Sequence, residues 1–296
     1  MFDFRLKVFH TVATRLSFTK AAEELFITQP AVTKHIHEIE QHFKVKLFER
    51  DGRKVRLTAA GQTLLRHTSE LFALYRNLEF EMHTQADKKA GRLRVGASTT
   101  VAQYVLPPVL ASFHQKFPDI RITLTTDNTE QVEQALQQHQ VDIGIIEGRA
   151  KNNAFRYTPF LKDELVLVAN SVNPLLKKSI KPDELLKLPL LLREPGSGTL
   201  EVIAHALRPL GIRISQLKKE MQLSNTESIK GYLQHSHCLA FLSKHAIQSE
   251  LEQRTFSIID VKGLVIQRDF NFITPHGETG ALVNLFMQFA LSHNLK

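Results

Sequence analysis

The run FTKAAEELFITQPAVTKHIHEIEQHF, Phe18 to Phe43, holds two short helical patterns that meet at Ile27-Thr28-Gln29-Pro30. In the first, Phe18, Ala21, Ala22 and Leu25 recur at i, i+3, i+4 and i+7, one face of an amphipathic helix, and Ser17 stands where a cap belongs. In the second, Thr28 is a fitting N-cap and Pro30 falls in the first turn, where its missing N–H costs little. Val32, Ile36, Ile39 and Phe43 form the apolar stripe of this helix. Upstream, Leu6, Phe9, Val12 and Ala13 share a further helical face. Two helices joined by a tight turn are the grammar of a helix-turn-helix, although a plain helical hairpin has the same pattern. The other face tilts the choice. Gln29, Thr33, Lys34 and His37 lie off the stripe, clustered toward the N-terminal half of the helix. Glutamine can bond adenine through two hydrogen bonds, threonine can touch a thymine methyl, and lysine can reach guanine or phosphate. The helix N-terminus itself favours a phosphate.

Next comes KLFERDGRKVRLT, residues 46–58. Asp51-Gly52 is a turn signal between two short strands. Arg50, Arg53, Lys54 and Arg56 surround it, which reads as a basic wing on a phosphate backbone, with a solvated hairpin as the bland alternative. Thr58-Ala59-Ala60-Gly61 then opens a long helix in which Leu57, Leu64, Leu71 and Leu78 are spaced by seven. Tyr75 and Met82 sit four beyond the last two. This seam suggests pairing with a second copy. Gly61 and Thr68 interrupt its other position, and a single helix lying on its own domain is the alternative.

At 296 residues the chain is long enough for two domains. Its formal net charge of +8 favours polyanionic partners or anionic membrane surfaces. The first 66 residues hold 12 Lys and Arg against 7 Asp and Glu, so most of the excess sits in less than a quarter of the chain. That points to the first domain as the polyanion-binding one. The single cysteine, Cys238, excludes an internal disulfide. The first residues carry charges throughout and lack a signal-peptide core, and no apolar run approaches the ~20 residues of a membrane span. The expectation is a cytoplasmic, unprocessed protein without a membrane partner.

Near residue 90 the grammar changes. Gln85 to Gly91 is small, charged and glycine-terminated, as expected of a helix end and linker. Beyond it, strand-like LRVGA (93–97), IRITLT (120–125) and VDIGII (141–146) alternate with helix-like Val101–Phe117 and Thr129–His139. A second unit follows with ELVLVA, PLLLRE, a helix after Gly198, EMQLS, a helix over Thr226–Leu233 and LAFLS. DFNFIT and helix-like Ala281–Leu291 return to the first lobe. Such alternation predicts a mainly parallel α/β sheet, whose ligands sit at the carboxyl ends of strands. Three strand-to-helix turns therefore become candidate ligand-binding loops. Ser98-Thr99-Thr100 offers hydroxyls and free N–H groups, an anion site. Gly196-Ser197-Gly198-Thr199 adds glycines that admit close backbone approach. Asn225-Thr226 opens a third helix. Taken singly, each is also readable as an ordinary N-cap.

Some chemistry is missing. GSGT lacks the Gly-Lys-Ser/Thr of a phosphate loop, and Pro195-Gly196-Ser197-Gly198 is not a G-x-S-x-G elbow. Asp163-Glu164 reads as solvated or hinge residues. His235-Ser236-His237-Cys238 carries soft ligands, but a metal site needs three or four and no second cysteine exists. An altered turn with a buried thiol is the preferred reading. Neither an enzyme nor a cofactor or metal site is expected.

Taken together, the runs FRLKVFHTVA, SFTKAAEELFITQPAVTKHIHEIE and KLFERDGRKVRLTAAGQTLL, nearly continuous from Phe4 to Leu65, resemble the LysR-type transcriptional regulators. RLRVGAST (92–99), LPPVLASFHQKFPDI (106–120), VDIGIIEG (141–148), DELVLV (163–168) and SNTESIK (224–230) are similar, more loosely, to that family's effector domain. The resemblance implies an α/β multidomain protein in three parts. Residues 1–58 form a winged helix-turn-helix and 59–90 a dimerising linker helix. Residues 91–296 form a two-lobed effector domain of the type 2 periplasmic-binding-protein kind, with lobe I at 91–162 and 268–296 and lobe II at 163–267. It implies a homodimer or homotetramer on double-stranded promoter DNA, contact with RNA polymerase, and a small, anionic metabolite between the lobes. Gln29, Pro30, Thr33 and Lys34 match the recognition-helix face, and Arg50 and Arg53 the wing. Lys34 stands where arginine is common and lacks the bidentate fork. Ser236-His237-Cys238-Leu239 replaces a glycine-containing pattern. The GSGT loop resembles that of members controlling sulfur or inorganic-carbon assimilation. The rival expectations are an architectural DNA-binding protein without a ligand, and a solute-binding protein or enzyme built on the α/β domain.

Overall fold

The computed structural model describes residues 3–51, 54–86, 88–148, 152–174 and 178–293; the side chains of residues 50 and 51 are outside the description. The chain forms two compact units, Met1–Glu79 and Phe80–Lys296. Among the described residues no helix is long and apolar enough to cross a membrane.

The first unit contains α1 (Phe4–Arg15), α2 (Phe18–Leu25), α3 (Gln29–Phe43), the antiparallel ribbon β1 (Phe48–Asp51) and β2 (Lys54–Leu57), and the start of α4 (Ala59–Gln85). Side chains of Asp3, Ser17 and Thr28 accept the N–H groups of Arg5, Lys20 and Ala31, so each of the first three helices begins on a side-chain cap. Each also ends on a left-handed residue that is not glycine: Leu16, Phe26 and Lys44, with φ of 47°, 56° and 54°. That conformation costs an L-residue roughly 1–2 kcal/mol, which the shared core must offset. The core is Val8, Phe9, Val12, Ala21, Val32, Ile36, Ile39 and Leu47.

Gly61 is not a weak seam position but a close contact: a side-chain carbon there would lie 2.1 Å from the Leu47 carbonyl oxygen. Thr68 is fully buried, with its hydroxyl on the Leu64 carbonyl, and Ser69 and Phe72 meet His10 of α1. The exposed apolar stripe of α4 is Leu71, Leu74, Leu78 and Met82. The expected seam is therefore shifted. Leu57 lies in β2 and Leu64 packs against the core, while Leu74 joins the stripe.

The second unit holds β3 (Gly91–Ser98), α5 (Leu106–Lys116), β4 (Ile120–Asp127), α6 (Thr129–Gln137), β5 (Ile143–Glu147), β6 (Phe155–Asn170), β7 (Ser179–Ile180) and β8 (Leu190–Leu192). It continues with α7 (Gly198–Leu207), β9 (Lys219–Gln222), α8 (Thr226–Gln234), β10 (Leu239–Ser243), α9 (Gln248–Glu252), β11 (Phe256–Val261), β12 (Ile266–Pro275) and α10 (Ala281–His293). The strand order is β4-β3-β5-β12-β6-β10-β8-β9, with β11 beside β6 and β7 beside β11. The two ends are parallel, β4-β3-β5 in the first lobe and β10-β8-β9 in the second. Between them, β12 and β6 run antiparallel to their neighbours and are shared by both lobes. The expectation of a mainly parallel sheet holds for each lobe and fails at the joint.

Pro159 explains why this long strand is hard to read: proline inside a run argues against a central strand. A register shift beside Asn271 and Pro159 accommodates it. Each lobe has its own core. Leu93, Val95, Ile143, Phe113, Phe272 and Phe286 fill the first, so α10 returns to it; Leu167, Leu190, Leu192, Ile203, Leu207 and Phe241 fill the second.

Candidate functional site

In the first unit, Val32, Ile36 and Ile39 turn one face of α3 into the core, and this leaves Gln29, Pro30, Thr33, Lys34 and His37 on the exposed face. Thr33 donates to the Gln29 carbonyl at 3.1 Å and receives the Gln29 amide at 3.3 Å. The Gln41 side chain meets His37 Nε2 at 2.8 Å, so the polar row continues one turn further than the sequence suggests. Lys54 is exposed on β2. The ribbon register pairs Asp51 with Lys54; Gly52, of the turn signal Asp51-Gly52, lies outside the described residues. Arg53 and the Arg50 side chain lie outside the described residues. Glu40 ties the ribbon to α3: its carboxylate accepts the Leu47 N–H at 2.9 Å and Lys46 Nζ at 2.8 Å. Burial alone would raise the Glu40 carboxyl, but these bonds outweigh it and hold the group below its ordinary value.

In the second unit, the three candidate loops lie at strand-to-helix turns, and the strands deliver two of them to one buried carboxylate. Glu147 ends β5 and is almost fully buried. Its Oε2 accepts the Ser98 hydroxyl at 2.9 Å; its Oε1 accepts Thr199 at 2.8 Å and Thr100 at 3.4 Å. Arg268 of β12 donates to Thr199 Oγ1 at 2.9 Å and to Asp163 Oδ2 at 2.7 Å, and Ser243 donates to Asp163 Oδ1 at 2.7 Å. Asp163 is thus buried and ion-paired, not solvated; Glu164 beside it is partly exposed and bonds Lys244.

Thr99 and Ser197 differ from their neighbours. Both are buried, and among the described residues neither hydroxyl has a partner. Arg193 Nη1 and Arg268 Nη2 are likewise buried and, among the described residues, unpaired. Buried donors without acceptors are uncommon and cost on the order of 1–3 kcal/mol each.

Gly196 and Gly198 bring the second lobe against the first. Gly196, at φ 86°, accepts the Glu130 N–H at the start of α6, and a side chain there would meet Glu130 Oε2 at 2.7 Å. The Thr129 hydroxyl donates to the Glu147 carbonyl at 3.0 Å. Thr226 is buried in the first turn of α8 under the Asn225 cap, apart from the hydroxyls gathered on Glu147.

One residue on, Glu227 reaches the first lobe by accepting the Tyr104 hydroxyl. Tyr104 lies in a π-helical turn, Val101–Val105, where the Leu106 N–H bonds the Val101 carbonyl. Pro107 and Pro108 cannot donate to the preceding turn, so the wide turn replaces an α-helical start. Lys230 sits 5.1 Å from the Tyr104 ring centre and pairs with Glu250 at 2.7 Å and Glu227 at 3.1 Å. Burial first, then Glu227, push the Tyr104 hydroxyl well above its ordinary pKa. Burial would raise Glu227, but Tyr104 and Lys230 hold it below the usual carboxylate range.

Sequence reasoning missed Glu147, Arg268 and Tyr104. The one local signal was a charged residue closing the apolar run VDIGII. Cys238 is buried among Val166, Ile229 and Leu233, and burial raises its thiol pKa; His235 and His237 are not buried with it. Among the described residues no three His, Cys, Asp or Glu side chains gather to hold a metal ion.

Two family descriptions match: "Bacterial regulatory helix-turn-helix protein, lysR family" over residues 4–62, and "LysR substrate binding domain" over residues 86–294. The chain is 31% identical over 269 residues to the HTH-type transcriptional regulator CysL of Bacillus subtilis (strain 168), covering 90% of this chain and 89% of that one. The regulatory domain of Synechocystis PCC6803 CcmR, solved in complex with 2-PG, is similar over 68% of this chain and 96% of its own, with 26% identity and a TM-score of 0.62. Full-length CbnR, solved with its target DNA, shares the fold over 98% of this chain and 99% of its own, with 19% identity and a TM-score of 0.68.

Proposed function

The chain belongs to the LysR family of DNA-binding transcriptional regulators with an effector-binding domain, and from that premise we propose how its residues divide the work. The supporting observation is the exposed row Gln29, Thr33, Lys34 and His37 on an otherwise packed α3. This helix enters the major groove, with Gln29 and Thr33 reading bases and Lys34 on guanine or phosphate. The ribbon, through Arg50, Arg53 and Lys54, holds the backbone beside it. The stripe Leu71, Leu74, Leu78 and Met82 pairs α4 with a second copy, setting half-site spacing, and two such dimers form the tetramer. Residues 1–58, 59–90 and 91–296 serve as the DNA-binding, linker and effector parts.

A small anion bound between the lobes alters how the dimers are arranged, and so the contact with RNA polymerase. The buried unpaired donors of Thr99, Ser197, Arg193 and Arg268 support that ligand, as does the 2-PG bound by the CcmR regulatory domain. The chain performs no catalysis in this scheme and works in the cytoplasm, beside the chromosome.

The test is retardation of DNA from upstream of the protein's own gene by the full chain at moderate salt, with and without candidate anions. Specific retardation whose footprint changes with one anion is the expected result. Binding that unrelated competitor DNA abolishes would remove the sequence-specific reading. A footprint indifferent to every anion would remove the gating ligand.

A further inference from the structure

The hydroxyls that the sequence marks as donors to an anion already hold one. Ser98, Thr100 and Thr199 all donate to the Glu147 carboxylate, which is 1% exposed, and the third donor comes from the opposite lobe. Charge around it does not balance. Glu147 and Asp163 bring two carboxylates to one guanidinium, that of Arg268, whose Nη1 lies 3.8 Å from Glu147 Oε1. A surplus buried charge is unfavourable, so packing alone does not call for an acid at this position. Further donors lie beside these: among the described residues Thr99 Oγ1, Ser197 Oγ and Arg268 Nη2 stay buried and unpaired, within two residues of Glu147's partners or, for Arg268, on a side chain bonded to one of them.

Resting on the reading of the cleft as an effector site, we propose that Glu147 is a built-in occupant of the anion position, a tethered carboxylate that the anionic ligand must displace. Without ligand, it satisfies the three hydroxyls and bridges the lobes through Thr199. An anion with three or four oxygens, of the sulfate or phosphate class, takes over those hydroxyls and also reaches Thr99, Ser197 and Arg268. Glu147 then leaves the donor group. The tether sets a threshold: anions that offer no more acceptors than a carboxylate do not compete.

The experiment uses the full chain and its Glu147→Ala and Glu147→Gln variants, titrated calorimetrically with inorganic sulfate and inorganic phosphate, with melting followed in acetate. Removing the tether is expected to tighten sulfate or phosphate binding by about tenfold or more in Glu147→Ala, with Glu147→Gln between it and the parent. Acetate is expected to raise the Tm of Glu147→Ala by refilling the carboxylate position, and to leave the parent unchanged. If Glu147→Ala does not fold, the near-isosteric Glu147→Gln decides: tighter binding supports the tether and unchanged binding removes it. Equal affinity in all forms, with acetate inert, overturns the tether while leaving the cleft reading in place. No binding of any anion by any form overturns the cleft reading itself, and the tether with it.

Discussion

Gly198 approaches the Glu147 backbone so closely that a side-chain carbon on it would stand 2.1 Å from the Glu147 carbonyl oxygen and 2.6 Å from the Thr129 hydroxyl. Both neighbours belong to the other lobe and one is backbone, so no rotamer change relieves the overlap. Gly198→Ala is expected to push the loop off the first lobe and lower stability by about 1–3 kcal/mol. It should abolish the response to anions and leave DNA retardation intact. Gly211→Ala is the control, because open space surrounds that residue and only its φ of 74° is strained. Denaturant titration and retardation of the two variants check this; equal behaviour would show that the contact is unimportant.

Tyr104→Phe keeps the ring under Lys230 and removes the hydroxyl that Glu227 accepts. Glu227 is largely exposed, so the loss to overall stability should stay below about 1 kcal/mol. The expected effect is kinetic: a bound anion should dissociate several-fold faster, with DNA affinity in its absence unchanged. Stopped-flow displacement reads the rate, and an unaltered rate would show that this contact does not hold the cleft closed.

Arg268 sets its guanidinium against buried Asp163 and lies within reach of Glu147. Arg268→Met removes the cation that Asp163 and Glu147 share and should cost about 3–5 kcal/mol in denaturant titration. Adding Asp163→Asn to it should recover part of the loss. Additive losses would mean that the two side chains are not coupled.

Acid should loosen the ribbon of the first unit. The folded-state pKa of Glu40 is held below its unfolded value, so its contribution is complete above the ordinary carboxylate range and disappears as pH falls through the folded pKa. Melting temperatures measured from about pH 7 to about pH 2.5 should decline once pH falls below the ordinary carboxylate range, and Glu40→Gln should lower the neutral value while flattening that decline. An unchanged slope in Glu40→Gln would dissociate the effect from this residue.

On DNA, Gln29→Ala should lose about 1–3 kcal/mol on the preferred sequence and little elsewhere. Lys54→Ala should weaken binding on all sequences and reduce the salt slope by about 1. Anisotropy titrations over a range of salt separate the two. Uniform loss from Gln29→Ala would remove α3 from base reading.

The first unit is legible in the sequence because its signals are local. Ser17 and Thr28 each cap the helix they precede, and the stripe of Val32, Ile36 and Ile39 is spaced within one helix. The second unit is legible in its alternation of strands and helices, and less so in its centre. Pro159 disguises β6, and the pairing of β6 with β12 joins residues about a hundred positions apart. The loops Ser98–Thr100 and Gly196–Thr199 stand out as hydroxyl-rich turns, but what they face does not. Glu147 gains its meaning from donors 47 to 52 positions away, and Arg268 meets Asp163 across 105. No periodicity encodes such meetings.

The shared strands β6 and β12 have a mechanical consequence. Their ladder runs from the Ile266↔Leu165 pair to Pro275↔Phe155, with one irregularity at Phe270/Asn271. The lobes are therefore joined as two blades on a single leaf spring, not as two bodies on a loose cord. Turning one lobe against the other therefore means twisting this ribbon, and its irregular rung is the point at which a bulge already adds local twist.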